Sequence, residues 1–122
     1  MEWTTELRYK RYEDWTEEEK KQIKENMAKS PWHTHYHVEP TSGLLNDPNG
    51  FSYFDGKWVL FYQNFPFGAA HGLKSWVQLE SDDLVHFNET GVKVLPDTPL
   101  DSHGAYSGSA MQFDDKLFLF YT

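Results

Sequence analysis

The chain has 122 residues, and 11 lysines and arginines against 19 aspartates and glutamates leave a formal net charge of −8. A chain this acidic lacks the basic stripe that neutralises phosphates, which argues against nucleic acid or an anionic membrane surface as partner. It has no cysteine, which excludes a disulfide scaffold, a thiolate metal site and a cysteine nucleophile and fits a reducing, cytoplasmic setting.

Residues 1–36 read as a lead-in, helical over most of its length. Thr16 and Glu19 have the capping-box spacing, in which each side chain satisfies the other's free backbone donor. Ile23 and Met27, four apart, give a thin apolar stripe on an otherwise charged, solvated surface helix. Ser30-Pro31 ends it, because the residue before proline avoids the α region. No apolar run reaches signal-peptide or membrane length.

From residue 37 the pattern becomes strand-like. Phe51–Phe54 reads as a short strand and Asp55-Gly56 as a hairpin turn. In the strand Lys57–Gln63, Trp58, Leu60 and Tyr62 alternate with Val59, Phe61 and Gln63. Asn64–Gly72 is a loop. Ser75–Ser81 alternates again, Val77 and Leu79 against Trp76 and Gln78. Ser81–Leu84 is a capped turn, and Val92–Leu95 is a further strand stopped by Pro96 and Pro99. Five Trp, seven Tyr and nine Phe supply heavy core fillers, yet the mean hydropathy is −0.72, as expected of an all-β protein with alternating faces.

The hairpin recurs. Phe54-Asp55, Lys57 and Leu60-Phe61-Tyr62 reappear as Phe113-Asp114, Lys116 and Leu119-Phe120-Tyr121, at a constant offset of 59 residues. Four-stranded units repeated along a chain are the blades of a β-propeller. Repeat architectures need about three units to bury their faces. One unit and the opening of a second, ending in a bare apolar strand, therefore read as the front piece of a longer protein.

The densest polar segment is Gly43-Leu44-Leu45-Asn46-Asp47-Pro48-Asn49-Gly50. Its composition is first a turn signal. Its place before the first strand, where loops carry sites, and the restriction that Pro48 imposes on Asp47 also suit a functional carboxylate. Gln63 is the polar tip of an apolar strand, either a sugar contact or a satisfied edge amide. Trp76 either walls a pocket or packs in the core. His33, His35 and His37 would share one face of a strand, but i, i+2 spacing is wide for one tetrahedral ion. Structural hydrogen bonding is the default there, and no metal is expected.

Taken together with His37, Pro40, Phe61-Tyr62-Gln63, Pro66-Phe67-Gly68, His71-Gly72, Lys74, Trp76, Asp83-Leu84-Val85-His86 and Ser107-Gly108-Ser109-Ala110, the Asn46–Gly50 motif resembles glycoside hydrolase family 32, the β-fructofuranosidases, and within it the intracellular bacterial invertases. The resemblance implies a five-bladed β-propeller followed by a β-sandwich, with residues 37–122 supplying the first blade and the start of the second. It implies retaining hydrolysis of the β-fructofuranosyl bond of sucrose 6-phosphate or sucrose, with no cofactor. Asp47 would be the nucleophile, and Leu44, Leu45, Asn46, Gln63, Trp76, Tyr106 and Ser107 would contact the substrate. Retention needs a second carboxylate about 5–5.5 Å from the first. The family's acid/base glutamate and supporting aspartate would both lie beyond Thr122, and Glu39, Glu80 and Glu89 match neither. A phosphorylated sugar calls for lysine or arginine, and Lys74 and His71 carry no assignment. Leu44-Leu45 and Val77-Gln78 depart from the common family pattern, which bears on aromatic stacking at the rim and not on the carboxylate chemistry. A carbohydrate-binding or inactive propeller and a fructan hydrolase are the alternatives.

Overall fold

The structure, a computed structural model, describes residues 2–122. Four strands form an antiparallel meander in chain order, β1 (Leu44–Phe54), β2 (Lys57–Phe65), β3 (Ser75–Ser81) and β4 (Asn88–Val94). A separate hairpin follows, β5 (Gly108–Phe113) and β6 (Lys116–Tyr121). Asp55 and Gly56 make the first tight turn with φ of 50° and 78°, the sign a two-residue type I′ turn requires at both positions. Asp114, at the repeated position, also takes a positive φ of 52°.

β1 corrects the expected strand over Phe51–Phe54. It begins at Leu44 and absorbs the turn-like Asn46–Gly50 segment through two bulges. Asn46 and Asp47 together oppose Gln63, and Gly50 and Phe51 together oppose Leu60. A bulge puts two residues against one and bends the strand, so polar, glycine-containing sequence stays paired. Gly50 suits the second bulge, with φ of 55° and a Cβ position only 3.1 Å from Ala110 Cβ. This is where β1 meets β5. β4 also starts earlier than its apolar pattern, at Asn88 rather than Val92. Irregular pairing on β3, with Gly91 at φ 95°, hides its alternation.

The alternation expected for β2 and β3 sorts the core. On one face Val59, Phe61 and Trp76 pack with Ala105, Phe54, Val94, Leu117 and Leu119. That face joins the sheet to the β5–β6 hairpin. On the other, Tyr62, Val77 and Leu79 pack with Leu45, Leu60 and Phe87.

The lead-in is more than a solvated helix. Its main helix, α2 (Glu17–Ala28), carries the expected capping box, with Glu19 N–H on Thr16 Oγ1 at 3.2 Å and Thr16 N–H on Glu19 Oε2 at 2.8 Å. The residues before it form one short turn, α1 (Thr5–Arg8), and an irregular strap. Trp15 of the strap stacks on Phe67 at 4.3 Å, beside Phe65, with Trp3, Leu7, Tyr12, Ile23 and Leu44 around them. Burying Phe65 and Phe67 contributes about 1.5–3 kcal/mol each. The strap also holds the β2–β3 connection. Leu73 N–H bonds Arg8 O at 2.7 Å, Arg8 Nε donates to His71 O, and Tyr12 Oη donates to Leu73 O at 3.1 Å.

Candidate active site

The bulge re-aims Asp47. Its neighbours Gly50 and Asn49 are buried, while its carboxylate is exposed at the end of the sheet nearest the second hairpin. Ser107 Oγ donates to Asp47 Oδ2 at 2.6 Å. Gln63, only 2% exposed, donates through Nε2 to the same Ser107 oxygen at 2.8 Å. The serine proton is thereby directed at the carboxylate. Asn49 ties the backbone: Nδ2 donates to Asp47 O at 2.9 Å, and Oδ1 accepts from Gly108 N–H at 2.9 Å. Gly108 is compulsory, since a Cβ there would lie 1.8 Å from Phe120 O.

Asn46, beside Asp47 on the bulge, accepts on Oδ1 from Lys74 Nζ at 2.7 Å. Lys74 is buried and also reaches His71 Nδ1 at 3.0 Å. Burial holds its pKa below the usual lysine range, and the charge of Asp47 opposes that shift.

Of the residues expected at the site, Asn46, Asp47, Gln63 and Ser107 come together around one carboxylate. Tyr106 stands beside them, partly exposed, its carbonyl accepting from Trp76 Nε1 at 3.1 Å. Burial first, then the neighbouring Tyr9, raise the Tyr106 phenol's pKa, while Arg8 opposes this.

Trp76 itself is a correction. It has 0% exposure and lies against Phe61 and Tyr121, with ring centroids 5.7 and 6.1 Å away. Its ring has no free face for a sugar, so in this structure it supports Tyr106 from the core. Leu44 and Leu45 also turn half-buried into packing, Leu44 toward the Trp15 cluster and Leu45 toward the Tyr62 cluster. Asn49 is read from the sequence only as part of the motif; its backbone-tying role depends on Gly108, which local sequence does not bring near it.

The glutamates that match neither family role are engaged elsewhere. Glu39 pairs with His33, Glu80 accepts from Gln78, and Glu89 accepts from Tyr62 and Thr41. The stretch from His33 to His37 is not a strand. No group of three or more His, Cys, Asp or Glu side chains among the described residues is arranged to hold a metal.

Residues 37–122 match the glycosyl hydrolases family 32 N-terminal domain. The chain belongs to this family. It is 72% identical over 116 residues to the sucrose-6-phosphate hydrolase of Streptococcus mutans, covering 95% of this chain and 24% of that protein. It superposes on the sucrose-6-phosphate hydrolase of Lactobacillus gasseri with a TM-score of 0.93 at 52% identity, over 97% of this chain and 24% of the other. A mutant of the Bombyx mori family 32 β-fructofuranosidase, solved in complex with sucrose, gives a TM-score of 0.67 at 32% identity, over 86% of this chain and 23% of that one. The chain thus spans about a quarter of the length of these relatives. The four-stranded meander of this family 32 chain is a propeller blade, and β5–β6 opens the next. Among the described residues no helix is long and apolar enough to cross a membrane.

Proposed function

We propose that this chain is about a quarter of a cytoplasmic, retaining β-fructofuranosidase acting on sucrose 6-phosphate, and on sucrose, with Asp47 as its nucleophile. The observation that carries the proposal is the exposed Asp47 carboxylate, held on one oxygen by Ser107 and flanked by Asn46. Kinship with sucrose-6-phosphate hydrolases supports the substrate class.

The geometry suits a two-step displacement. Ser107 holds Oδ2 and leaves Oδ1 for the attack. Oδ1 attacks the anomeric carbon of the fructosyl unit, an ester bond forms as the glycosidic C–O bond breaks, and the departing oxygen takes a proton from a carboxylic acid supplied by the rest of the protein. That group, now a base, removes a proton from water, which attacks from the face the leaving group vacated, opposite Asp47; the ester C–O bond breaks, Asp47 leaves as a carboxylate and the acid is restored. Two displacements retain configuration. Asn49, through the Asp47 backbone, and Gln63–Ser107, through its carboxylate, fix the nucleophile, so little reorganisation is left for the transition state. The test is the anomeric form of the first fructose released by the full-length protein, followed by NMR. β-Fructofuranose is expected, and first release of the α anomer overturns the retaining mechanism.

A further inference from the structure

A buried ammonium with no carboxylate within ion-pair distance is expensive. Among the described residues none of the ion pairs includes Lys74, although it is only 4% exposed. Its place is nevertheless tightly built. Ala105 N–H bonds Lys74 O at 2.8 Å, and Gly104, with φ of 123°, passes so close that a Cβ would lie 2.8 Å from Lys74 N. On the other side the strap holds Leu73 and His71 through Arg8 and Tyr12. Gly104-Ala105 on one side and the strap on the other thus fix the backbone that carries Lys74.

The chemistry of an ammonium explains what it does there. Lysine has three donors and no acceptor. The contact of 2.7 Å can form only if Asn46 turns its carbonyl oxygen to Lys74. The contact of 3.0 Å can form only if His71 Nδ1 is unprotonated. An asparagine amide can present either its oxygen or its NH₂ to a neighbour, and its hydrogen-bond partners decide which. Lys74 removes that freedom and leaves Asn46 with its NH₂ edge alone for the open side, next to the nucleophile.

We propose that Lys74 is a positioning residue that locks the Asn46 amide as a pure donor toward an oxygen of the fructosyl unit beside Asp47. The inference rests on the function proposed above. It specifies the polarity of that subsite, which must accept a substrate oxygen acting as hydrogen-bond acceptor at Asn46. The titratable groups that face Lys74 are His71 from the β2–β3 connection and Asp47 from β1.

The experiment is a double-mutant cycle in the full-length protein, with Lys74→Met and Asn46→Ala, read as kcat and KM for sucrose per titrated active site. A hydrogen bond to a charged group sets the scale. Lys74→Met is expected to lower kcat about 10- to 100-fold with KM within about threefold, and to cost little once Asn46 is alanine. A loss that only lowers the number of active sites, or equal losses in both backgrounds, overturns the proposal. Lys74→Gln keeps a neutral donor and is expected to fall between wild type and Lys74→Met. It replaces Lys74→Met in the cycle if that variant does not fold. If wild type releases no fructose, the hydrolase proposal fails on its own. The lock is then read from the Asn46 side-chain amide signals in ¹⁵N spectra, expected as one well-separated NH₂ pair in wild type and as a shifted or doubled pair in the Lys74 variant, whose amide can turn. An identical pair in both overturns it.

Discussion

Ser107 and Asp47 lie 60 residues apart in the chain, and the serine hydroxyl stands 2.6 Å from the aspartate carboxylate. The first blade presents the carboxylate and the second holds it. Gln63 completes the relay from beneath by donating to the serine oxygen at 2.8 Å. Ser107→Ala therefore removes an orienting bond and strands a buried amide, at a cost of about 1–3 kcal/mol. In the full-length protein kcat for sucrose is expected to fall about 10- to 100-fold, with a lowered melting temperature. A variant with unaltered kcat contradicts the orienting role.

Trp76 gives a second, opposing test. As a core residue whose Nε1 holds Tyr106 O, Trp76→Phe loses one hydrogen bond and some packing, about 1–2 kcal/mol of stability. Denaturant unfolding of the full-length protein is expected to show that loss, with KM for sucrose changed less than about threefold. A tenfold rise in KM at unchanged stability returns Trp76 to the sugar.

The His33–Glu39 pair predicts a pH response far from the site. His33 Nδ1 lies 2.8 Å from Glu39 Oε2, and Thr34 binds the same carboxylate through its hydroxyl and backbone N–H. Bonding to His33 first, then Thr34, holds Glu39 at about 2, and bonding to Glu39 raises His33 above its ordinary 6.5. A depressed carboxylate stabilises above its unfolded pKa and loses that contribution as pH falls through the folded one. A raised imidazole stabilises below its unfolded pKa and loses that contribution as pH rises through the folded one. The clasp is thus at full strength between about pH 4.5 and 6.5. Titration of the His33 ring by NMR is expected to show a pKa above 6.5 that falls in Glu39→Gln. An identical value in both proteins contradicts the pairing.

The isolated 122 residues are expected not to hydrolyse sucrose. Glu39, Glu80 and Glu89 are each bonded away from Asp47, and retention needs a second carboxylate about 5–5.5 Å from the first. Fructose release by the purified segment, measured by coupled assay, contradicts this.

Much of this architecture is legible in the residues alone. Asp55-Gly56 marks its turn because few pairs tolerate two positive φ angles. The alternation in Val59, Phe61, Tyr62, Val77 and Leu79 sorts both faces because side chains of a strand alternate. The 59-residue offset that repeats Phe54 at Phe113 locates the second hairpin. β1 was hidden because a bulge needs the same asparagine, aspartate and glycine as a turn, and only pairing with β2 tells them apart. The strap was hidden for another reason. Trp3, Leu7, Tyr12 and Trp15 follow no single period, and their partners Phe65 and Phe67 come some fifty residues later. At the site, the family motif picks out Asp47, Asn46 and Gln63 as candidates, and the structure links Gln63 to Asp47 through Ser107. Trp76 sits among the motif residues yet faces inward, and Lys74 reaches Asn46 only because the β2–β3 connection folds back. Neither orientation is written in local sequence.

Asp47→Asn in the full-length protein, with sucrose turnover and sucrose binding measured on the same preparation, is the most direct check on the nucleophile. Turnover is expected to fall about 10⁴-fold or more, with calorimetric affinity for sucrose within a fewfold of wild type. Turnover within tenfold of wild type would take Asp47 out of the mechanism.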